Sequence, residues 1–379
     1  MLKKQKPIKL LFIIDFIDVL EGTETQLIRL IENLNKDRYS IYLICLRSSE
    51  WIQQHKNTLP CQVEIFNIFK LKNPATILQI FLLIRYIKKV RPHIVLTFFP
   101  LSNILGVFAA RLANVRIIMS SRRDSGLWLE GKIALLFLKL ANTLVTKIIV
   151  NSIIVKELAC DKESVNRSKI DVIYNGLDFS VLGKDNDKAR VLKKELGIAP
   201  ENKIVGILAG LRPMKRHEIF IKAAAEIQKS RNDITFLIVG DGPLRGDLEN
   251  MSKALNLKKS CYFLGRQEDT IPYLSLFDIG VNCSSAEGLS NAIMEYMALD
   301  IPCIVTNSGG NTELIKDGIN GYTFELNDHG KLENLILRLL NDKQKQEEFI
   351  FQSRKIIIDM TIGKMVDEYD RCFTKLLET

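Results

Sequence analysis

Four loops between residues 205 and 325 carry residue types that could do chemistry together. The first is Ala209-Gly210-Leu211-Arg212-Pro213-Met214-Lys215, which follows a strand-like run and opens a helix-like one. Gly210 allows a tight turn, Pro213 suits a first helical turn, and Arg212 and Lys215 flank that N-terminus. Two fixed cations beside the positive end of a helix dipole make an anion site, strongest for a diphosphate. A basic helix start facing water explains a lone lysine well, and a glycine-led Arg/Lys pair just past a strand less well.

The second loop is Ser285-Ala286-Glu287-Gly288-Leu289-Ser290-Asn291, continuing into a helix that contains Glu295. On one continuous helix, residues 287 and 295 would stand about 80° apart and ~12 Å along the axis. Gly288 places Glu287 on the loop instead, and Glu295 on the second helical turn. The two carboxylates could then hold separate hydroxyl-bearing groups, while the backbone N–H groups of Gly288, Leu289, Ser290 and Asn291 face a phosphate between them. Taken alone, the pair is better explained by a solvated or interdomain Glu295 and an incidental Glu287.

Two further loops repeat the strand, glycine, helix pattern. In Thr306-Asn307-Ser308-Gly309-Gly310, the two glycines permit close backbone approach to a ligand, although a plain tight turn would also use them. Gly240-Asp241-Gly242-Pro243 lacks the fuller glycine pattern and the first-turn position of a dinucleotide fingerprint, and its glycines could simply serve a tight turn. Asp185-Asn186-Asp187 has the letters of a metal-binding pair of aspartates but lies in a polar tract, not at a strand end, and reads as solvated.

The elements that must position these loops follow from the apolar pattern. Runs at 8–14, 39–46, 63–66, 93–98, 116–120, 147–150 and 170–174 are continuous rather than alternating, as in strands covered on both faces, and helix-period stretches lie between most of them. The pattern restarts at 204–209, 235–239, 261–264, 278–282, 302–305 and 321–324, and the chain is helical from about 328. The fold class is therefore α/β: two facing Rossmann-like, doubly wound domains with a cleft between them, closed by C-terminal helices. The expected division is 1–180 for the first domain and 181–360 for the second, with 361–379 a helix returning to the first. The polar tract 183–190 reads as the junction.

Composition excludes several classes. With 47% hydrophobic and 26% charged residues among 379, the chain is neither disordered nor fibrous. No apolar run approaches the ~18 residues of a membrane span, and the apolar stretch 10–14 stops at Asp15, short of a signal-peptide core. Seven cysteines without a CxxC pair, and only four histidines, fit neither a disulfide framework nor a structural zinc site, so a reducing, cytoplasmic setting is expected.

Charge is uneven. Residues 1–175 hold 26 Lys/Arg against 14 Asp/Glu, a net +12, whereas residues 176–379 hold 27 against 30, a net −3. A basic first half suggests an anionic partner, and a solvated basic face is a comparable explanation. Without aromatic-studded basic runs or an RNA module, nucleic acid is not expected, and the inner face of a membrane is the better candidate, with the protein peripheral to it. Such electrostatic attachment should be released by high salt.

These loops resemble the retaining glycosyltransferases of family 4, which have the two-domain GT-B fold. The Glu287 to Glu295 spacing is that family's E-x7-E motif, and Gly309-Gly310-x-x-Glu313, Gly240-Asp241-Gly242-Pro243 and Asp317-Gly318-x-x-Gly321 match in order and spacing. Over 8–180 the likeness is looser, resting on Gly22-Thr23-Glu24, Arg91-Pro92-His93, Arg122-Arg123-Asp124, Asn151-Ser152 and Asn175-Gly176-x-Asp178. The chain departs from the pattern where many members carry Gly-Arg and this one has Ala209-Gly210; Arg212 stands in two residues later.

The resemblance implies an acceptor-binding first domain (1–180) and a nucleotide-sugar-binding second domain (181–360), the donor most often a UDP-sugar, with Arg212 and Lys215 on the diphosphate, Glu287 on the sugar hydroxyls and Glu295 on the ribose. It implies that Gly22, in the 18–25 loop, lets the backbone approach the donor. Front-face transfer with retention is implied too, onto a glycan or lipid-linked acceptor in cell-surface polysaccharide or glycolipid synthesis. Arg212, Lys215 and helix N-termini would stabilise the departing diphosphate, so no metal and no cofactor is expected. Arg122 and Arg123, at a first-domain strand end, would face the cleft and steady the donor phosphate or an anionic acceptor, or be surface cations. The alternatives are a nucleotide-sugar epimerase on the same fold and a non-catalytic sugar-nucleotide-binding protein.

Overall fold

The structure is a computed structural model that describes residues 6–18, 21–68, 74–124 and 131–378. It divides into two compact units, Met1–Gly176 with Ile362–Thr379, and Leu177–Thr361.

The first unit is built on a seven-stranded parallel sheet. Its strands are β1 (Ile8–Ile14), β2 (Tyr39–Cys45), β3 (Gln62–Ile65), β4 (Ile94–Phe98), β5 (Ile117–Arg122), β6 (Lys147–Val150) and β7 (Ile170–Val172), in the order β3-β2-β1-β4-β5-β6-β7. Between them run α1 (Gly22–Asn33), α2 (Glu50–His55), α3 (Pro74–Val90), α4 (Val107–Leu112, after a π-helical turn at Ser102–Gly106), α5 (Lys132–Leu144) and α6 (Ile153–Glu163). The apolar runs of the central strands are continuous because those strands feed two cores. Leu10, Phe12 and Ile14 of β1 pack with Leu27 and Ile31 of α1, while Leu11 and Ile13 pack on the other face with Leu83 and Ala110.

The second unit carries a six-stranded parallel sheet. Its strands are β8 (Lys203–Leu208), β9 (Ile234–Val239), β10 (Cys261–Gly265), β11 (Ile279–Asn282), β12 (Cys303–Thr306) and β13 (Tyr322–Phe324), in the order β10-β9-β8-β11-β12-β13. The helices are α7 (Asn186–Glu195), α8 (His217–Gln228), α9 (Arg245–Ala254), α10 (Ile271–Leu274), α11 (Asn291–Ala298) and α12 (Asn311–Leu314), followed by α13 (His329–Leu340) and α14 (Lys343–Ile357). A last helix, α15 (Ile362–Glu378), belongs to the first unit, where Met365, Tyr369 and Phe373 join the β1 and α1 core.

The polar tract 183–190 corrects the sequence reading. The crossing between units falls at Gly176 and Leu177, and the tract instead opens α7, with Asp185 capping it through the Lys188 backbone N–H at 2.9 Å. Polar residues at a helix start are hard to distinguish by composition from a linker. All seven cysteines are free thiols. Among the described residues no helix is long and apolar enough to cross a membrane, and no group of three or more His, Cys, Asp or Glu is placed to hold a metal ion.

Candidate functional site

In the second sheet the strand order reverses between β8 and β11, and a switch of that kind opens a crevice at the carboxyl ends of its strands. The loops after β8, β11 and β12 all leave from that end. Tyr296 of α11 pins the switch point: fully buried, it accepts the Leu208 backbone N–H at 2.6 Å. Burial pushes its phenol far above the ordinary value, so it stays neutral.

The three loops are stitched into one body. Thr306 Oγ1 donates to the Ser284 carbonyl at 2.6 Å, and Ser308 Oγ to the Ser285 carbonyl at 2.8 Å. The Ser285 backbone N–H donates to the Met214 carbonyl at 2.8 Å, which joins the β11 loop to the 3-10 turn at Pro213–Lys215. Underneath, Asn282, Ser290, Thr306 and Asn311 form a buried amide and hydroxyl cluster: Asn282 Nδ2 donates to Ser290 Oγ at 3.2 Å, and Asn311 Nδ2 to Asn282 Oδ1 at 3.2 Å and to Thr306 Oγ1 at 3.1 Å. Sequence reasoning missed this cluster, because isolated polar residues at strand ends form no recognisable pattern.

On this scaffold the structure brings Lys215 and Glu287 together. Lys215 Nζ donates to Glu287 Oε1, and Ser284 Oγ donates to the same oxygen at 2.8 Å. Both side chains are largely sheltered. Glu287 also holds the glycine loop through its backbone, its carbonyl accepting the Gly310 N–H at 3.0 Å. Gly309 lies at φ 54°, and a Cβ there would stand 2.6 Å from the Glu287 carbonyl oxygen. A Cβ on Gly310 would come within 1.8 Å of the Gly288 carbonyl oxygen. These glycines therefore let the β12 loop touch the β11 loop, which the sequence had assigned to ligand approach.

The other predicted residues take different places. Gly288, Leu289 and Ser290 are buried in the loop, and Ser290 caps α11 through the Ile293 N–H. Asn291 and Glu295, on α11, are half-buried. Arg212 sits on the exposed rim of the 3-10 turn. Gly240, at φ 138°, and Gly242 lie against the 209–211 turn, where a Cβ would come within 2.1 Å of the Ala209 oxygen and 2.6 Å of the Leu211 oxygen; their service is to backbone packing. Asp187 is open to solvent and pairs with Arg190.

His217 is a second residue that the sequence reading passed over. It opens α8 two positions after Lys215, is 1% exposed, and neither ring nitrogen makes a hydrogen bond. Burial, and then the Lys215 cation, lower its pKa to about 4; the nearby Ala209 backbone pushes the other way. The ring is neutral at ordinary pH.

In the first unit, Arg122 corrects an expectation. Its guanidinium turns inward, 3% exposed, and donates to both Glu163 oxygens, to Asn142 Oδ1 at 2.9 Å and to the Ser121 carbonyl. A buried carboxylate 41 residues away claims it, and an α6 partner is not visible from the local sequence. Arg123 fastens the returning α15, donating to Asn175 Oδ1 at 2.7 Å and to the Tyr369 hydroxyl. Gly22 opens α1 with no atom within 4 Å of where a Cβ would stand. Of the 18–25 loop, residues 19 and 20 lie outside the described residues. At the first sheet's own switch point, buried Asp15 accepts the Leu101 and Ser102 backbone N–H groups at 3.1 and 2.6 Å, and burial raises its carboxyl above the ordinary value.

Comparison with known proteins agrees with both halves. A family described as Glycosyltransferase Family 4 matches residues 20–181, and one described as Glycosyl transferases group 1 matches residues 188–356. The UDP-Gal:alpha-D-GlcNAc-diphosphoundecaprenol alpha-1,3-galactosyltransferase of Escherichia coli is 29% identical over 371 residues, covering 94% of each chain. The N-acetyl-alpha-D-glucosaminyl L-malate synthase of Bacillus anthracis is 30% identical over 209 residues, 55% of this chain and 54% of its own. In fold, the chain superposes on Anabaena HepE, solved with UDP and glucose, with a TM-score of 0.85 at 21% identity, over 97% and 99% of the two chains. The chain belongs to the family 4 glycosyltransferases and has their GT-B fold.

Proposed function

We propose that this glycosyltransferase takes its sugar from a UDP-sugar and transfers it, with retention and without a metal, to a lipid-linked acceptor in cell-surface polysaccharide or glycolipid synthesis. The observation that carries the reading is the Lys215–Glu287 pair, held where three interlocked loops meet at the switch point of the second sheet. The E. coli relative, matched along nearly its whole length, is named for a UDP-sugar donor and a diphosphoundecaprenol acceptor, which supports the same substrate classes here.

In this reading the donor diphosphate draws the Lys215 ammonium away from Glu287. Arg212, on the rim, reaches the same phosphates. Glu287, relieved of its cation, accepts from hydroxyls of the donor sugar and retains Ser284 as a second support. Gly309 and Gly310 hold the loop against it, and Glu295 addresses the ribose. As the bond from the anomeric carbon to the phosphate oxygen breaks, its electron pair leaves with the diphosphate. Lys215 and Arg212 stabilise that growing charge more than they stabilise the intact donor, which is the requirement for lowering the barrier. The acceptor oxygen bonds to the anomeric carbon from the same face, and its proton passes to the departing phosphate oxygen. The basic first half, net +12, supports attachment at an anionic membrane face, where a lipid-linked acceptor would be met.

A thermal-shift screen of UDP-, GDP- and ADP-sugars tests the donor, because a bound ligand raises the melting temperature by mass action. A shift with UDP-sugars alone is expected. A larger shift with GDP- or ADP-sugars would overturn the assignment of the base, and donor turnover abolished by a chelator and restored by a divalent ion would overturn metal independence.

A further inference from the structure

Helices α3, α4 and α5 lie side by side on one face of the first sheet, α3 packed on α4 and α4 on α5. Their inner sides are ordinary core: Leu83 and Ile87 of α3, Val107 and Ala110 of α4, and Ala141 of α5. Their outer sides are not ordinary surface. Ile77, Leu78 and Phe81 of α3, Leu112 of α4, and Ile133, Leu136 and Leu140 of α5 are each more than half exposed. Large apolar side chains exposed on three adjoining helices mark a surface that meets something other than water.

The charges around this face say what it meets. On α3 the apolar side chains occupy the first turns, and Arg85, Lys88 and Lys89 follow on exposed positions of the last turns. Lys132 precedes Ile133 at the start of α5, and exposed Arg111 adjoins Leu112. Neither α3, α4 nor α5 contains an acidic residue, and residues 65–123 hold ten Lys/Arg with no Asp or Glu. Helices that present apolar and cationic side chains and carry no acidic ones complement a layer whose interior is hydrocarbon and whose rim is anionic. A protein partner or a second copy of this chain would have to present a surface equally poor in cations.

The geometry points to the outer face of α3, α4 and α5 as a membrane-insertion surface, its apolar side chains entering the acyl region of an anionic phospholipid leaflet and its Arg and Lys heads remaining among the phosphates. This rests on the membrane-side reading above and changes its physics. Attachment by charge alone is released by salt, whereas buried side chains hold when charges are screened.

The test is co-sedimentation of the full chain with vesicles of phosphatidylcholine alone or mixed with phosphatidylglycerol, at low and high salt. Wild type is expected to sediment with the anionic vesicles and to keep a substantial bound fraction at high salt. The double variant Phe81→Ser/Leu136→Ser should bind at least about tenfold more weakly at both salt concentrations. Lys88→Gln/Lys89→Gln should weaken binding at low salt only. Unchanged melting temperature and UDP affinity in these variants establish that the fold and the donor site are intact, so failure of the surface is distinguishable from failure of the donor assignment. Vesicle binding equal to wild type in the double variant overturns the proposal, as does complete release by salt. A dimer that the double variant breaks, with no vesicle binding by wild type, overturns it in favour of contact between copies of the chain.

Discussion

Lys215 and Glu287, separated by 72 residues, meet on one carboxylate oxygen that Ser284 also engages. The pair couples the β8 loop to the β11 loop and brings together the cation and the carboxylate that the proposed chemistry needs. A lysine held by a carboxylate is oriented by it, and a more highly charged anion can compete for the lysine.

Lys215→Ala should lower kcat/KM for transfer by about 10²–10³-fold, the usual cost of removing one preorganised charge-stabilising donor. Glu287→Gln keeps the side-chain shape and should also lose most turnover, yet bind free UDP at least as tightly as wild type does, because the carboxylate addresses the sugar and competes with the diphosphate for Lys215. Transfer assays beside calorimetric UDP titrations separate the two effects.

Two glycine substitutions should part in an informative way. Gly310→Ala sets a methyl within 1.8 Å of the Gly288 carbonyl oxygen, so the β11 and β12 loops must separate. UDP-sugar affinity should fall at least about tenfold, with a lowered melting temperature. Gly22→Ala meets nothing in the protein, and its melting temperature should stay within about 1 °C of wild type or rise, because alanine suits a helix better than glycine. If the donor approaches Gly22, the donor KM rises without any loss of stability.

His217 predicts a pH effect. Its pKa in the folded chain is lowered to about 4, against about 6.5 when unfolded. Between these values the unfolded chain takes up a proton that the folded chain refuses, so stability falls as pH drops through that window, by up to about 3 kcal/mol, and is flat above it. His217→Leu removes two unpaired buried nitrogens and should flatten this part of the profile. Urea midpoints of wild type and variant at neutral pH and at about pH 5 measure the difference.

Arg122→Ala should cost about 3–5 kcal/mol of stability by leaving Glu163 buried without its cation. Asp187→Ala, at an exposed helix start, should change stability by no more than about 0.5 kcal/mol and leave transfer unchanged. Thermal melts and transfer rates check both.

Much of the architecture was legible because parallel strands covered on both faces are apolar along their buried length, as at 10–14 and 236–239. The short helices were harder. Neither α2 nor α6 stood out as a helix, since α2 spans under two turns and α6 alternates apolar and charged residues without a clean stripe. In the site, Lys215 and Glu287 were legible as types beside strand ends. Their contact was not, because nothing local encodes a partner 72 residues away. The same holds for Arg122 and Glu163, where a strand-end arginine read as a ligand contact is a buried structural ion pair.

The most direct measurement is the affinity of UDP against uridine for wild type and for Lys215→Ala, by calorimetry in one buffer. If the loops of the second sheet grip a diphosphate, wild type binds UDP about a hundredfold more tightly than uridine, and Lys215→Ala loses at least about tenfold of that preference while its affinity for uridine is unchanged. An undiminished preference for UDP in Lys215→Ala would contradict the account.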